Sequence, residues 1–154
     1  MPPIAVIDFE TTGISPGQGA RATEVAIVLL ENGKVVDRFQ SLMKTGAWIP
    51  PFITQLTGIT NAMVAEAPPA AEVMREAARF VGPAPMVAHN AAFDSKFWGA
   101  ELAQAGVAAQ QPFACTVIED SLPGLHAARA AGRVPPVKFG WIFAVDPPQG
   151  LLSR

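Results

Sequence analysis

Three carboxylates in this chain stand where chemistry is possible. Asp8 and Glu10 lie two apart at the end of an apolar run, Ile4-Ala-Val-Ile-Asp-Phe-Glu10. In a strand, alternate side chains share a face, so the two acids project together. Paired carboxylates on an apolar strand repel each other unless a cation sits between them. Hard oxygen donors of this kind suit Mg²⁺ or Mn²⁺. The pattern Asp-x-Glu is common by chance, and a solvated strand end with two unrelated acids fits it equally well. The second cluster is His89-Asn-Ala-Ala-Phe-Asp94. A short strand delivers His89 and Asn90 to its C-terminal end, and Asp94 falls in the first turn of the next helix. An acid there also suits the helix dipole, which is the plainer reading. What joins the two clusters is scarcity. Only 16% of the residues are charged, yet three carboxylates fall at two strand ends.

The elements that must position these acids follow from hydrophobic period and punctuation. Residues 4–9 form a buried strand, and the stretch from Gly13 to Gly19, with Pro16 and Gly17, forms a loop. Residues 24–30 resume as a strand, and Asn32-Gly33 makes a two-residue turn into a third strand over 34–39. The opening is therefore an antiparallel meander joined by short turns. Trp48-Ile-Pro-Pro-Phe52 breaks that pattern, and 53–56 reads as a short helix stopped by Gly58. Val73, Ala77, Phe80 and Val81 recur at steps of three and four, which predicts a helix over 70–81 closed by Gly82-Pro83. A brief strand at 85–89 leads into a second helix over about 91–105, marked by Phe93, Phe97, Ala100 and Leu102. Residues 113–118 give a last strand. Strands in a meander, then strands alternating with helices, define an α/β domain with a mixed sheet.

The 154 residues suit one domain, and a 50% hydrophobic content excludes a disordered chain. A single cysteine, Cys115, permits neither an internal disulfide nor a multi-cysteine zinc site, so a cytoplasmic setting is expected. No apolar run is long enough to span a bilayer, and the first residues lack a signal-peptide pattern, so no membrane association is expected. The net charge of −2 argues against holding a long nucleic acid by bulk electrostatics.

Asp8-Phe-Glu-Thr-Thr-Gly13 and His89-Asn-Ala-Ala-Phe-Asp94 resemble the first two motifs of the DnaQ-like (DEDDh) 3′–5′ exonucleases, which have a ribonuclease H-like fold. Phe39-Gln-Ser-Leu-Met43, Ile49-Pro50 and Leu56-Thr-Gly-Ile-Thr60 are similar to that family's connecting segments, in order, and Pro112-Phe-Ala-Cys-Thr116 is similar to its next strand. The likeness runs from residue 4 to about 117. It implies a ribonuclease H-like mixed sheet with flanking helices, over a domain of residues 1–116. It also implies that Asp8 bridges two divalent ions, Mg²⁺ or Mn²⁺, that Glu10 binds the first, and that Asp94 holds the second. Water would then attack the terminal phosphodiester in line. Thr11, Leu56, Thr57, His89, Asn90 and Phe93 match positions that line the nucleotide pocket in such enzymes. The implied substrates are single-stranded DNA or RNA 3′ ends, because the reacting nucleotide must be unpaired to enter. No polymerase-binding segment is identifiable.

The family's third motif, a His followed five residues later by an Asp, has no counterpart in the sequence. His126 is followed at that distance by Ala131. In its place, Val117-Ile-Glu-Asp-Ser-Leu-Pro-Gly-Leu-His-Ala-Ala-Arg-Ala-Ala-Gly132 resembles the fourth motif of haloacid-dehalogenase-like phosphatases, without that family's nucleophile motif. The C-terminal part is thus expected to be truncated or replaced. Residues 117–154 form an atypical segment, joined near Cys115-Thr116, whose Ala-rich helix over 125–131 covers the sheet. Two readings stand: an exonuclease impaired by loss of the third motif, or an inactive remnant that binds nucleotide or metal weakly.

Overall fold

Strand β1 (Ile4–Thr11) is the strand around which the others assemble. In the computed structural model, which describes residues 3–115, it pairs antiparallel with β2 (Ala22–Glu31). The β2 strand in turn pairs antiparallel with β3 (Lys34–Leu42). Asn32 and Gly33 take φ values of 51° and 74°. Two consecutive positive φ values are what a two-residue hairpin turn of matching twist requires, which is why the Asn-Gly pair sits there. On the other side of β1, β4 (Met86–Ala88) and β5 (Phe113–Cys115) add in parallel, giving the order β3-β2-β1-β4-β5.

Four helices lie between β3 and β5: α1 (Pro51–Thr57), α2 (Asn61–Ala65), α3 (Ala70–Val81) and α4 (Ala91–Gln104). The α3 helix keeps the bounds its spacing predicts. It places Val73, Met74, Ala77 and Val81 in the main core, where they join Ile7 of β1 and Ile27 of β2. From α4 the same core receives Phe97, Trp98 and Leu102. Phe97 lies 4.8 Å from Phe93 and 6.4 Å from Phe9, ring centroid to centroid, which ties the first turns of α4 to the end of β1. Along β1 the burial alternates. Ala5, Ile7, Phe9 and Thr11 are buried, while Val6, Asp8 and Glu10 share the half-buried opposite face.

Ile49, Ile53, Ile59 and Val64 make a smaller core against Leu42. Asn61 fastens this region by accepting from the Ile49 N–H at 2.8 Å and donating to the Ile49 carbonyl at 3.0 Å.

The structure departs from the sequence expectations in three places. The link from β1 to β2 contains the loop expected over 13–19 and is not one of the short turns expected of the meander. It spans residues 12–21 and contains a 3₁₀ turn at Pro16–Gln18. The β2 and β3 strands each extend beyond their expected bounds, because ladder pairing continues through polar residues such as Glu31 and Ser41. The α2 helix has no forewarning in the sequence: five residues give no period to read, although Thr60 caps it by accepting from the Met63 N–H at 3.1 Å. The expected helix over 125–131, the segment 117–154 and the end of the 113–118 strand lie outside the described residues.

Candidate active site

Asp8 and Glu10 sit on one face of the central strand, as alternation demands. The β4 strand runs parallel to β1, with Val6 beside Val87, so both strands point their C-terminal ends the same way. Asn90 follows β4 and caps α4, accepting from the Phe93 N–H at 3.3 Å. Asp94, one turn further, is 2% exposed, and its Oδ1 accepts from the backbone N–H of Phe9 at 3.2 Å. Phe9 stands between Asp8 and Glu10. Asp94 is therefore fixed to the main chain between the two strand acids.

The electrostatics report the same convergence. Burial first, then Asp94 and Glu10, push the Asp8 carboxyl up to about 8, against a smaller opposing pull from the Phe9 N–H. Burial raises Asp94 to about 6, with Glu10 adding to the rise and backbone N–H groups opposing it. Glu10 is raised by burial and by Glu24. Among the described residues no basic side chain pulls any of the three down.

Sequence reasoning misses Glu24. It lies directly across the ladder from Glu10, and burial raises its carboxyl while a hydrogen bond from Gln40 lowers it. Its alignment follows the unbroken antiparallel register that runs from Ile4 opposite Leu30 to Glu10 opposite Glu24, and the ladder slips only beyond it, where Thr11 pairs with Ala22. No sequence pattern fixes that register across a ten-residue loop.

The other expected residues are placed differently from one another. Thr11 is buried and its hydroxyl donates to the Gly13 carbonyl at 2.7 Å, which shapes the loop entry. The hydroxyl of Thr57 donates to the Ile53 carbonyl at 2.9 Å and accepts from the Ile59 N–H at 3.1 Å, closing the end of α1. Leu56 is 79% exposed. His89 and Asn90 are exposed, and Phe93 is half-buried against Phe97. The α1 region reaches the acids through Leu42, which pairs with Glu24, which pairs with Glu10.

Among the described residues, no three His, Cys, Asp or Glu side chains stand as a ready-made metal cage. The donor set nevertheless fits a hard divalent cation. It consists of mutually repelling carboxylate oxygens, half-buried on Asp8 and Glu10 and buried on Asp94, and Asp94 has one oxygen already oriented by the main chain.

A mixed five-stranded sheet with this strand order, flanked by helices and bearing acids at the ends of its central strands, defines a ribonuclease H-like α/β protein. The profile of the exonuclease (RNase_T) family matches residues 5–122, and the chain belongs to that family, in its DnaQ-like 3′–5′ exonuclease group. The chain is 44% identical over 101 residues to the 3′-5′ exonuclease DinG of Bacillus subtilis, a match covering 66% of this chain and 11% of that protein. It therefore spans about a tenth of that relative's length. Among solved structures, Exonuclease X in complex with 5′ overhanging duplex DNA superposes with a TM-score of 0.60 at 26% identity, covering 87% of this chain and 78% of that one. Exonuclease I in complex with an inhibitor gives a TM-score of 0.70 at 18% identity, covering 91% and 34%. At that identity the likeness speaks for the fold.

Proposed function

We propose that the chain is a divalent-cation-dependent 3′–5′ exonuclease that releases nucleoside monophosphates from unpaired DNA or RNA 3′ ends. The observation that carries this reading is the Asp94–Phe9 hydrogen bond. It brings a carboxylate from α4 to the main chain between Asp8 and Glu10. Asp8, Glu10 and Asp94 are the cation ligands in this reading, and Mg²⁺ or Mn²⁺ there would neutralise charge on the phosphodiester oxygens as the bond breaks. Asp8 and Glu10 supply oxygens from a rigid strand, and Asp94 supplies one from a helix already locked to that strand. Thr11, Leu56, Thr57, His89, Asn90 and Phe93 would line the nucleotide pocket. Leu56 offers an exposed apolar side chain for a base, whereas the Thr57 hydroxyl serves α1 and would act through its backbone. The 3′-5′ exonuclease DinG relative and the DNA bound by Exonuclease X support a nucleic-acid substrate.

The family's histidine base has no counterpart in the sequence, and general-base help is worth about 10²–10⁴-fold. The rate is therefore expected to be low. The same missing motif favours the second reading, an exonuclease fold that binds cation or nucleotide without turnover. Titration calorimetry with Mn²⁺ on wild type and Asp8→Ala tests the ligand assignment shared by both. Binding heat in the wild type that is lost in Asp8→Ala is expected, and equal heats in the two proteins would remove Asp8 from the site.

A further inference from the structure

Both buried carboxylates among the described residues belong to α4. Asp94 and Glu101 are each 2% exposed and lie seven residues apart, two turns along one face of the helix. Each grips the main chain of the sheet. Asp94 Oδ1 accepts from the Phe9 N–H at 3.2 Å, and Glu101 Oε1 accepts from the Ala22 N–H at 2.9 Å. Phe9 precedes Glu10, and Ala22 is the ladder partner of Thr11.

Glu101 also takes the guanidinium of Arg21 in a two-pronged pair, Nε to Oε1 and Nη2 to Oε2, both at 3.0 Å. Arg21 is the last residue of the link between β1 and β2, and its main chain closes that link. Its carbonyl accepts from the Thr12 N–H at 2.9 Å, and its N–H donates to the Thr12 hydroxyl at 3.0 Å. Through Ala22 and Arg21, the Glu101 side chain thus links α4 to the partners of Thr11 and Thr12, the two residues that follow Glu10. A half-buried ion pair is weak evidence for stability, since well-packed apolar residues can replace such a pair at little cost. What the charged fork provides is a fixed direction and distance.

We infer that Arg21 and Glu101 are positioning residues, whose bidentate pair sets α4 against the end of β1 and so fixes how far Asp94 stands from Glu10. The inference rests on the cation-site reading proposed above. Loss of the fork leaves Asp94 bonded to Phe9 but lets the helix pivot about that bond. The three carboxylates then meet a cation in a spread of geometries.

The test uses the full chain, with free Mn²⁺ followed by electron paramagnetic resonance during titration and thermal melts of the metal-free proteins in parallel. Arg21→Lys keeps the charge and loses the fork. Glu101→Gln keeps an oxygen for the Ala22 N–H and loses the ion pair. Val73→Ala, a core change in α3 away from the acids, serves as the stability control. The expected result is Mn²⁺ affinity at least about tenfold weaker in Arg21→Lys and Glu101→Gln, the size typical of residues that orient ligands. Val73→Ala should bind as wild type despite melting lower. Wild-type affinity in both fork variants would overturn the inference and leave the cation site standing. A weakening in Val73→Ala that scales with its melting temperature, as in the fork variants, would also overturn it, since stability alone would then account for the loss. A wild-type protein that binds no Mn²⁺ would overturn this inference and the cation-site reading together.

Discussion

Asp8 carries the largest perturbation among the acids of the site, and its direction sets a pH dependence. Its folded-state carboxyl is raised from 3.8 to about 8, chiefly by burial and by the charge of Asp94. The folded protein therefore binds a proton that the unfolded chain releases near pH 4. The associated stability is fully present below the unfolded value and is lost as pH rises through the folded one. The metal-free protein should accordingly melt several degrees lower at pH 8.5 than at pH 5. Mn²⁺ should recover much of that loss at the higher pH, because it takes the place of the proton. Asp8→Asn removes the charge that burial opposes and should melt higher than wild type at pH 8.5 by at least about 1 kcal/mol of stability. Differential scanning fluorimetry across pH, with and without Mn²⁺, checks all three, and a flat profile for the wild type would deny the burial of Asp8. Asp94→Asn tests a separate point. The amide oxygen can still accept from Phe9, so the fold should hold while Mn²⁺ affinity falls by at least about tenfold, as read by calorimetry. Spacing singles out Asp8, Glu10 and Asp94 as candidates, and their proposed role as ligands comes from the family resemblance. Glu24 is not singled out, because its place opposite Glu10 depends on the register of β1 against β2, which the intervening ten-residue link does not fix. Glu101 carries a signal in principle, an acid on the apolar face of α4 seven residues after Asp94, but a lone acid on a helix has many innocent explanations.

At the level of elements, Gly33 and Phe97 carry the clearest tests. Gly33 has φ of 74° at the β2–β3 turn, with open space where the first carbon of a side chain would stand. Gly33→Ala should destabilise through backbone strain alone, by about 1 kcal/mol, measured by urea denaturation. Phe97 is fully buried and touches both Phe93 and Phe9. Phe97→Ala should cost about 3–5 kcal/mol, and in the same titration it should lower the midpoint far more than Gly33→Ala. The difference between these elements explains what can be read in advance. The Asn-Gly turn and the three-and-four spacing of α3 are local codes, so the hairpin and that helix appear at the expected residues. The α2 helix is one turn long and held mainly by the small core of Ile49, Ile53, Ile59 and Val64. Its existence is a tertiary fact, and local period cannot announce it. The extension of β3 past Phe39 has the same origin, in ladder partners supplied by β2.

For the molecule as a whole, the net charge of −2 and the acids at the strand ends leave little room for phosphate contacts by basic side chains. Affinity for a single strand should therefore depend weakly on salt, with a slope of log K against log salt smaller than about 2 in magnitude, equivalent to fewer than about three neutralised phosphates. Fluorescence anisotropy of a labelled oligonucleotide with Asp8→Asn, across a salt series, reads that slope. No helix among the described residues is long and apolar enough to cross a membrane. If three carboxylates on β1 and α4 run 3′-end hydrolysis, digestion of a single-stranded oligonucleotide labelled at either end, with Mn²⁺ present, reads it directly. Wild type should free a labelled mononucleotide first from the 3′-labelled strand and shorten the 5′-labelled strand stepwise, whereas Asp8→Asn and Asp94→Asn should do neither. No mononucleotide release by wild type, or equal release by the two variants, would show that these carboxylates do not run 3′-end hydrolysis.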